Sequence, residues 1–120
     1  METKKVKVPH LNLVALDWAV AQCEKEKIRW DEDEEAFIYF DREEGGDRTW
    51  SPVNSWAQAG PIIEREHIAI DYSDGGNDWC ASVYDVDGRI HSSAKPLIAA
   101  MRSYVEFKMG EEIDVPVEFA

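Results

Sequence analysis

The sequence predicts an α+β fold: a small antiparallel sheet of about three strands with an N-terminal and a C-terminal helix packed on one face. Helical spacing stands at both ends of the chain, and three short segments rich in β-branched and aromatic residues lie between them. Glycine-rich turn chemistry separates the last two of those segments. At 120 residues the chain has room for a single domain, 1–120. A domain of this size can bury roughly two-thirds of its unfolded surface without disulfide or metal staples.

The first helix is expected from Asn12 to about Glu26, with Asn12 as cap and an apolar stripe of Leu13, Leu16, Val20 and Cys23. Trp18 points about 140° away from Leu13 and needs a second surface, a loop folded over it or a partner, so a homodimer is one expectation. Ala36–Phe40 is the first strand, bounded by an acidic run and by Gly45-Gly46. Residues 41–60 show neither period and are expected to form a long loop. Pro61–Glu66 suggests a short helical turn with Pro61 at its first position, and Ile68–Tyr72 alternates as a strand, although helix competes there. Asp74–Asn77 is a hairpin turn leading into a third strand, Trp79–Tyr84, with a second tight turn at Asp87-Gly88. The last helix runs from Pro96 to Met109, with Ser93 as a plausible cap and Gly110 to end it. Residues 1–9 and 111–120 are expected to be loosely ordered.

Charge and composition limit the function. Twenty-five acids against thirteen Lys and Arg give a net charge of −12, which disfavours nucleic-acid polymers and anionic membranes as partners. Residues 24–47 hold eleven acids and four bases, so −7 of that excess lies in one fifth of the chain. No apolar run is long enough for a signal peptide or a membrane span, which places the chain in the cytoplasm. Cys23 and Cys80 stand far apart without metal-ligand spacing and read as reduced thiols of a cytosolic protein.

Signatures of catalysis are missing: there is no GxSxG, no phosphate-binding glycine loop and no HExxH. His67 beside Glu64 and Glu66 is the one conceivable acid/base pair. The acids and amides around Asp74 do not match the spacing of a calcium loop, because Gly75 stands where an oxygen ligand should. Neither a metal nor a cofactor is expected. The polar-aromatic stretch from Trp50 to Arg65 is the most suggestive region. Trp50 and Trp56 could stack on a planar ring, Ser51, Asn54, Ser55 and Gln58 could offer hydrogen bonds, and Arg65 and Arg102 could face an anionic group. The competing account is a loop pinned to the core by its tryptophans, with both arginines paired to carboxylates.

Leu16–Ala21, then Trp50-Ser51-Pro52 with Trp56–Glu66, and finally Pro96–Arg102 resemble, in this order, the NinX-like proteins of the nin region of lambdoid phages. This chain has Ala59-Gly60 where the family often has two glycines, and Lys95 where it often has threonine. The resemblance implies a phage or prophage accessory protein acting in the host bacterial cytoplasm, and it implies no reaction, ligand or catalytic residue. Three readings follow. The first is a non-enzymatic binding module holding a small polar, nucleotide-like ligand at Trp50, Ser51, Trp56, Gln58, Arg65 and Arg102. The second is an acidic module that binds or blocks a basic host protein, acting as a nucleic-acid mimic. The third is a small enzyme using His67 and Glu64.

Overall fold

The computed structural model describes residues 2–73, 75–83 and 90–120. Its helices are α1 (Leu13–Glu24), α2 (Trp56–Glu66) and α3 (Pro96–Met109). Its strands are β1 (Thr3–Lys7), β2 (Arg29–Asp31), β3 (Ala36–Phe40), β4 (Asp47–Trp50), β5 (Ile68–Ser73), β6 (Asp78–Val83), β7 (His91–Ser93) and β8 (Glu112–Pro116). All pairings are antiparallel: a β1–β8 ribbon, a β2–β3–β4 sheet and a β5–β6–β7 sheet. The α+β class therefore holds, with the strands divided among three small sheets.

Helix α3 is the centre of the packing. Leu97 to Met101 and Ser103 to Val105 are all buried, because α3 meets α1 and α2 as well as the β5–β7 sheet. Ala15 and Ala19 of α1 and Ala99 and Ala100 of α3 are buried, and such small residues let helix backbones approach closely. Ser103 Oγ donates to Ala81 O at 2.7 Å and ties α3 to β6. Being covered on several sides, α1 lacks the single stripe expected: Ala15–Asp17 and Ala19–Ala21 are buried, while Leu13 is exposed. Trp18 is half-buried against the core, so the second surface it needs is within the chain.

The helix ends follow local chemistry. Asn12 accepts Ala15 N at 2.8 Å as the cap of α1. The helix stops at Glu24, before the expected Glu26, because Lys25 turns left-handed (φ 56°) and its N–H closes on Ala21 O and Gln22 O. Helix α3 starts at Pro96 after Lys95, which offers no side-chain cap; Ser93 belongs to β7, and its Oγ accepts Lys95 N at 3.3 Å instead. Gly110, at φ 95°, ends the helix as expected.

Three expectations are corrected. Residues 41–60 are not one loop, since Asp47–Trp50 pairs with Phe37–Phe40 and α2 begins at Trp56. The short turn expected from Pro61 is the second half of α2, which Ser55 caps by accepting Gln58 N at 3.2 Å. Pro61 lies inside the helix, and the bond it forfeits would fall on the carbonyl of Ala57, also exposed, where water can replace it. The two ends are not loose either: Thr3–Lys7 pairs residue for residue with Glu112–Pro116, placing Ile113 and Val115 in the core. Strand β5, the described part of β6 and the turn at Gly75–Asn77 match expectation, while Asp74, Tyr84 and the Asp87-Gly88 turn lie outside the described residues.

Ile113 is 3 % exposed. Ile113→Ala should therefore cost about 2–5 kcal/mol in denaturant unfolding, whereas a loosely ordered tail would lose almost nothing.

Candidate functional site

Trp50, Ser51 and Gln58 come together around a residue that the sequence reading did not single out, Asp17 of α1. The Asp17 carboxylate accepts Ser51 Oγ at 2.7 Å and Val53 N at 3.1 Å, and its carbonyl accepts Trp50 Nε1 at 2.9 Å. Gln58 works at both ends: its Oε1 accepts Ser51 N and its Nε2 donates to Thr49 O, each at 2.7 Å. Asn54 Nδ2 adds a bond to Ser51 Oγ at 2.9 Å. The Trp50 ring is buried edge-on to Tyr39, with centroids 5.4 Å apart. The β4–α2 connection is thereby fastened to α1. Burial pushes the Asp17 carboxyl up to about 6, and the Ser51 and Val53 hydrogen bonds pull the other way. A lone acid inside Leu16–Val20 was the signal available in the sequence.

Arg65 lies nine residues beyond Trp56, roughly 13 Å along the helix axis. Its guanidinium binds Glu24 at 2.6 and 3.1 Å, Glu66 at 2.7 Å and the Tyr104 hydroxyl at 3.2 Å. Those bonds from Glu24 and Glu66 hold its proton more firmly than usual. Tyr104 donates in turn to Glu24, and burial followed by that carboxylate pushes its hydroxyl up. Burial, reinforced by Glu24, raises the Cys23 thiol to about 11, so it is a thiol and not a thiolate at neutral pH. Both cysteines are free.

Among the described residues, no hydrogen bond or ion pair commits the side chains of Trp56 and Arg102 in this way. Trp56 is 57 % exposed at the start of α2, beside Asn54, Lys95 and Leu97 around a recess of about 160 Å³. Arg102, on α3, has a buried Nε with no partner among the described residues, and burial lowers its pKa. His67 caps α2 in the left-handed region (φ 54°) and is exposed, with no hydrogen bond or ion pair joining its ring to Glu64. Among the described residues no group of His, Cys, Asp or Glu side chains is placed to hold a metal, and no helix is long and apolar enough to cross a membrane.

The acidic stretch has a definite shape. Asp31 Oδ1 accepts Asp33 N and Glu34 N at 2.9 and 3.1 Å, and Asp41 Oδ1 accepts Glu43 N and Glu44 N at 3.0 and 3.3 Å. Each aspartate closes a turn that throws the following acids outward. The Glu34 N–H, then that of Asp33 and the charge of Arg29, hold the Asp31 carboxyl below the usual range. Arg29 pairs with Asp31 and Asp47, and Arg48 with Asp41 and Glu44. Glu32, Asp33, Glu34 and Glu35 are all exposed and take part in no ion pair among the described residues.

Residues 7–108 match the model of the family described as bacteriophage P22, NinX. The chain belongs to that NinX family. The matched span runs from the end of β1 through nearly all of α3, so it includes Asp17, the Trp50–Gln58 knot and the acidic turns, and leaves out β8. Among curated proteins the sequence finds no match. Membership of the NinX family makes the chain a phage accessory protein and brings with it no reaction or ligand.

The raised Asp17 carboxyl sets a pH dependence. Its folded pKa lies above its unfolded one, so the folded state binds the proton more tightly, and this stabilisation is complete below the unfolded pKa of 3.8 and lost as pH rises through about 6. Wild type should lose roughly 3 kcal/mol relative to Asp17→Asn between about pH 3.5 and 7, read from paired urea melts at each pH. Parallel stability profiles would show that the carboxylate is solvated.

Proposed function

We propose that the chain is a non-enzymatic protein-interaction module, a phage accessory protein whose acidic face binds a basic host protein. The observation that carries this reading is the β2–β3 turn, where four consecutive exposed acids have no counter-ion among the described residues, while Arg29 and Arg48 are paired elsewhere in the same sheet. Unpaired surface charge of one sign speeds encounter with an opposite surface and selects against wrong partners. Where that partner's basic surface is a nucleic-acid site, the same turn would act as a charge mimic.

The small-ligand reading has less behind it. Trp50, Ser51, Gln58 and Arg65 hold the chain together through internal bonds, leaving Trp56 and Arg102. The recess beside Trp56, at about 160 Å³, is smaller than the roughly 300–1,000 Å³ of ordinary ligand pockets. A larger groove of about 460 Å³ is lined by Gln58, Tyr39 and Arg42, but Glu26, Asp41 and Glu43 line it too and oppose an anion.

The test is retention of a basic protein from host lysate at low and high salt, compared with a variant carrying Glu32→Gln, Asp33→Asn, Glu34→Gln and Glu35→Gln. Retention should fall at high salt and fall about tenfold or more in the variant. Salt-insensitive retention, equal retention by the variant, or none at all would overturn the reading.

A further inference from the structure

A groove of about 790 Å³ opens between the first turn of α1, β2 and the C-terminal turn. Leu13 and Val14 line it, 42 % and 37 % exposed at the head of a helix whose middle is buried. Trp30 and Phe119 line it as well, and Glu32 and Glu118 stand at its sides. Contacts within the chain hold the groove in shape. Asn12, which caps α1, also donates from Nδ2 to Phe119 O at 3.0 Å, tying the C-terminal turn to the helix start. Trp30, Phe37 and Phe119 pack against one another, with centroids 4.9 to 6.0 Å apart. A preformed apolar surface is ready to bind without first being ordered.

We propose that this groove seats a basic segment of a partner protein, one that presents two or three apolar side chains flanked by lysines or arginines. The apolar groups would cover Leu13, Val14, Trp30 and Phe119, and the flanking cations would meet Glu32, Glu118 and the acidic turn 32–35. This inference rests on the protein-interaction reading above and gives it a seat. Charge chooses the occupant. A second copy would bring its own −12 and the same acidic rim against this one. A nucleotide would meet glutamates, and a neutral apolar molecule would leave the unpaired acids without counter-charge. An amphipathic basic segment satisfies both the apolar lining and the acids around it.

The probe is a short leucine–lysine peptide with its leucines at helical spacing, titrated calorimetrically into the full chain. A lysine–serine peptide of equal charge is the control. The leucine peptide should bind, and the control about tenfold or more weaker. Val14→Glu is the decisive variant, because an acid in the first turn of a helix suits the dipole and keeps the fold while placing a charge on the apolar lining. It should weaken the leucine peptide about tenfold or more although it adds a negative charge. Unchanged or tighter binding would mean capture by charge alone and would overturn the proposal. Failure of the peptide to bind, with retention of a basic host protein intact, would remove the groove and leave the protein-interaction reading standing; loss of both would remove both. Self-association in sedimentation that Val14→Glu abolishes would assign the groove to a second copy, and this proposal would fall.

Discussion

Asp17 is a carboxylate in the middle of a helix that is covered on several sides, and among the described residues no cation is paired with it. Taking such a group out of water is costly unless donors replace the solvent. Ser51 Oγ and Val53 N supply them, and both come from the five residues joining β4 to α2. That requirement places the connection, and the connection places its neighbours. Trp50 is drawn onto the Asp17 carbonyl, Gln58 reaches back to Ser51 and Thr49, and Ser55 falls where it can cap α2. At the other end of α2, Arg65 is clasped by Glu24 at the end of α1. Two polar clusters on α1 therefore set the position of α2, and α3 packs against both helices.

This arrangement divides the polar residues into two populations. Asp17, Ser51 and Gln58 in one cluster, and Glu24 and Arg65 in another, are bonded within the chain and form the frame. Those in the turns after β2 and β3 point outward, and at Glu32–Glu35 they have no counter-charge among the described residues. Affinity for a macromolecule arises where satisfied, rigid structure borders unsatisfied surface, since a rigid site loses little entropy on binding. The groove at the head of α1 lies at that border, lined by both Asn12 and Glu32.

Legibility in the sequence followed the amount of local signal. Ala36–Phe40 was plain because consecutive β-branched and aromatic residues stand between strong breakers, and Pro96–Met109 because a proline and a glycine bracket it. Strands β2, β4 and β7 are three or four residues long with polar composition, and pairing with β3 or β6 is what makes them strands. Helix α2 was half visible: Pro61 reads as a beginning, and only the exposure of Ala57 and Pro61 lets it sit in the middle. In Glu112–Pro116 the alternation of Ile113 and Val115 was present, but so short a run carries weight only once Thr3–Lys7 lies beside it. At the site, the Trp50–Arg65 stretch stood out for its polar and aromatic residues. Whether these faced a ligand or one another depended on Asp17, more than thirty positions away.

By itself the sequence determined the α+β class, the two terminal helices, the central strand, the family blocks and the placement of −7 of the charge in residues 24–47. These depend on periodicity, turn formers and composition, which act over a few residues. Tertiary structure decided which polar groups are partnered internally and which are left to the solvent. Burial and hydrogen bonding are properties of residues distant in the chain and adjacent in space, so no local pattern could place Ser51 on Asp17, Arg65 on Glu24, or Phe119 beside Trp30 at the edge of an open groove.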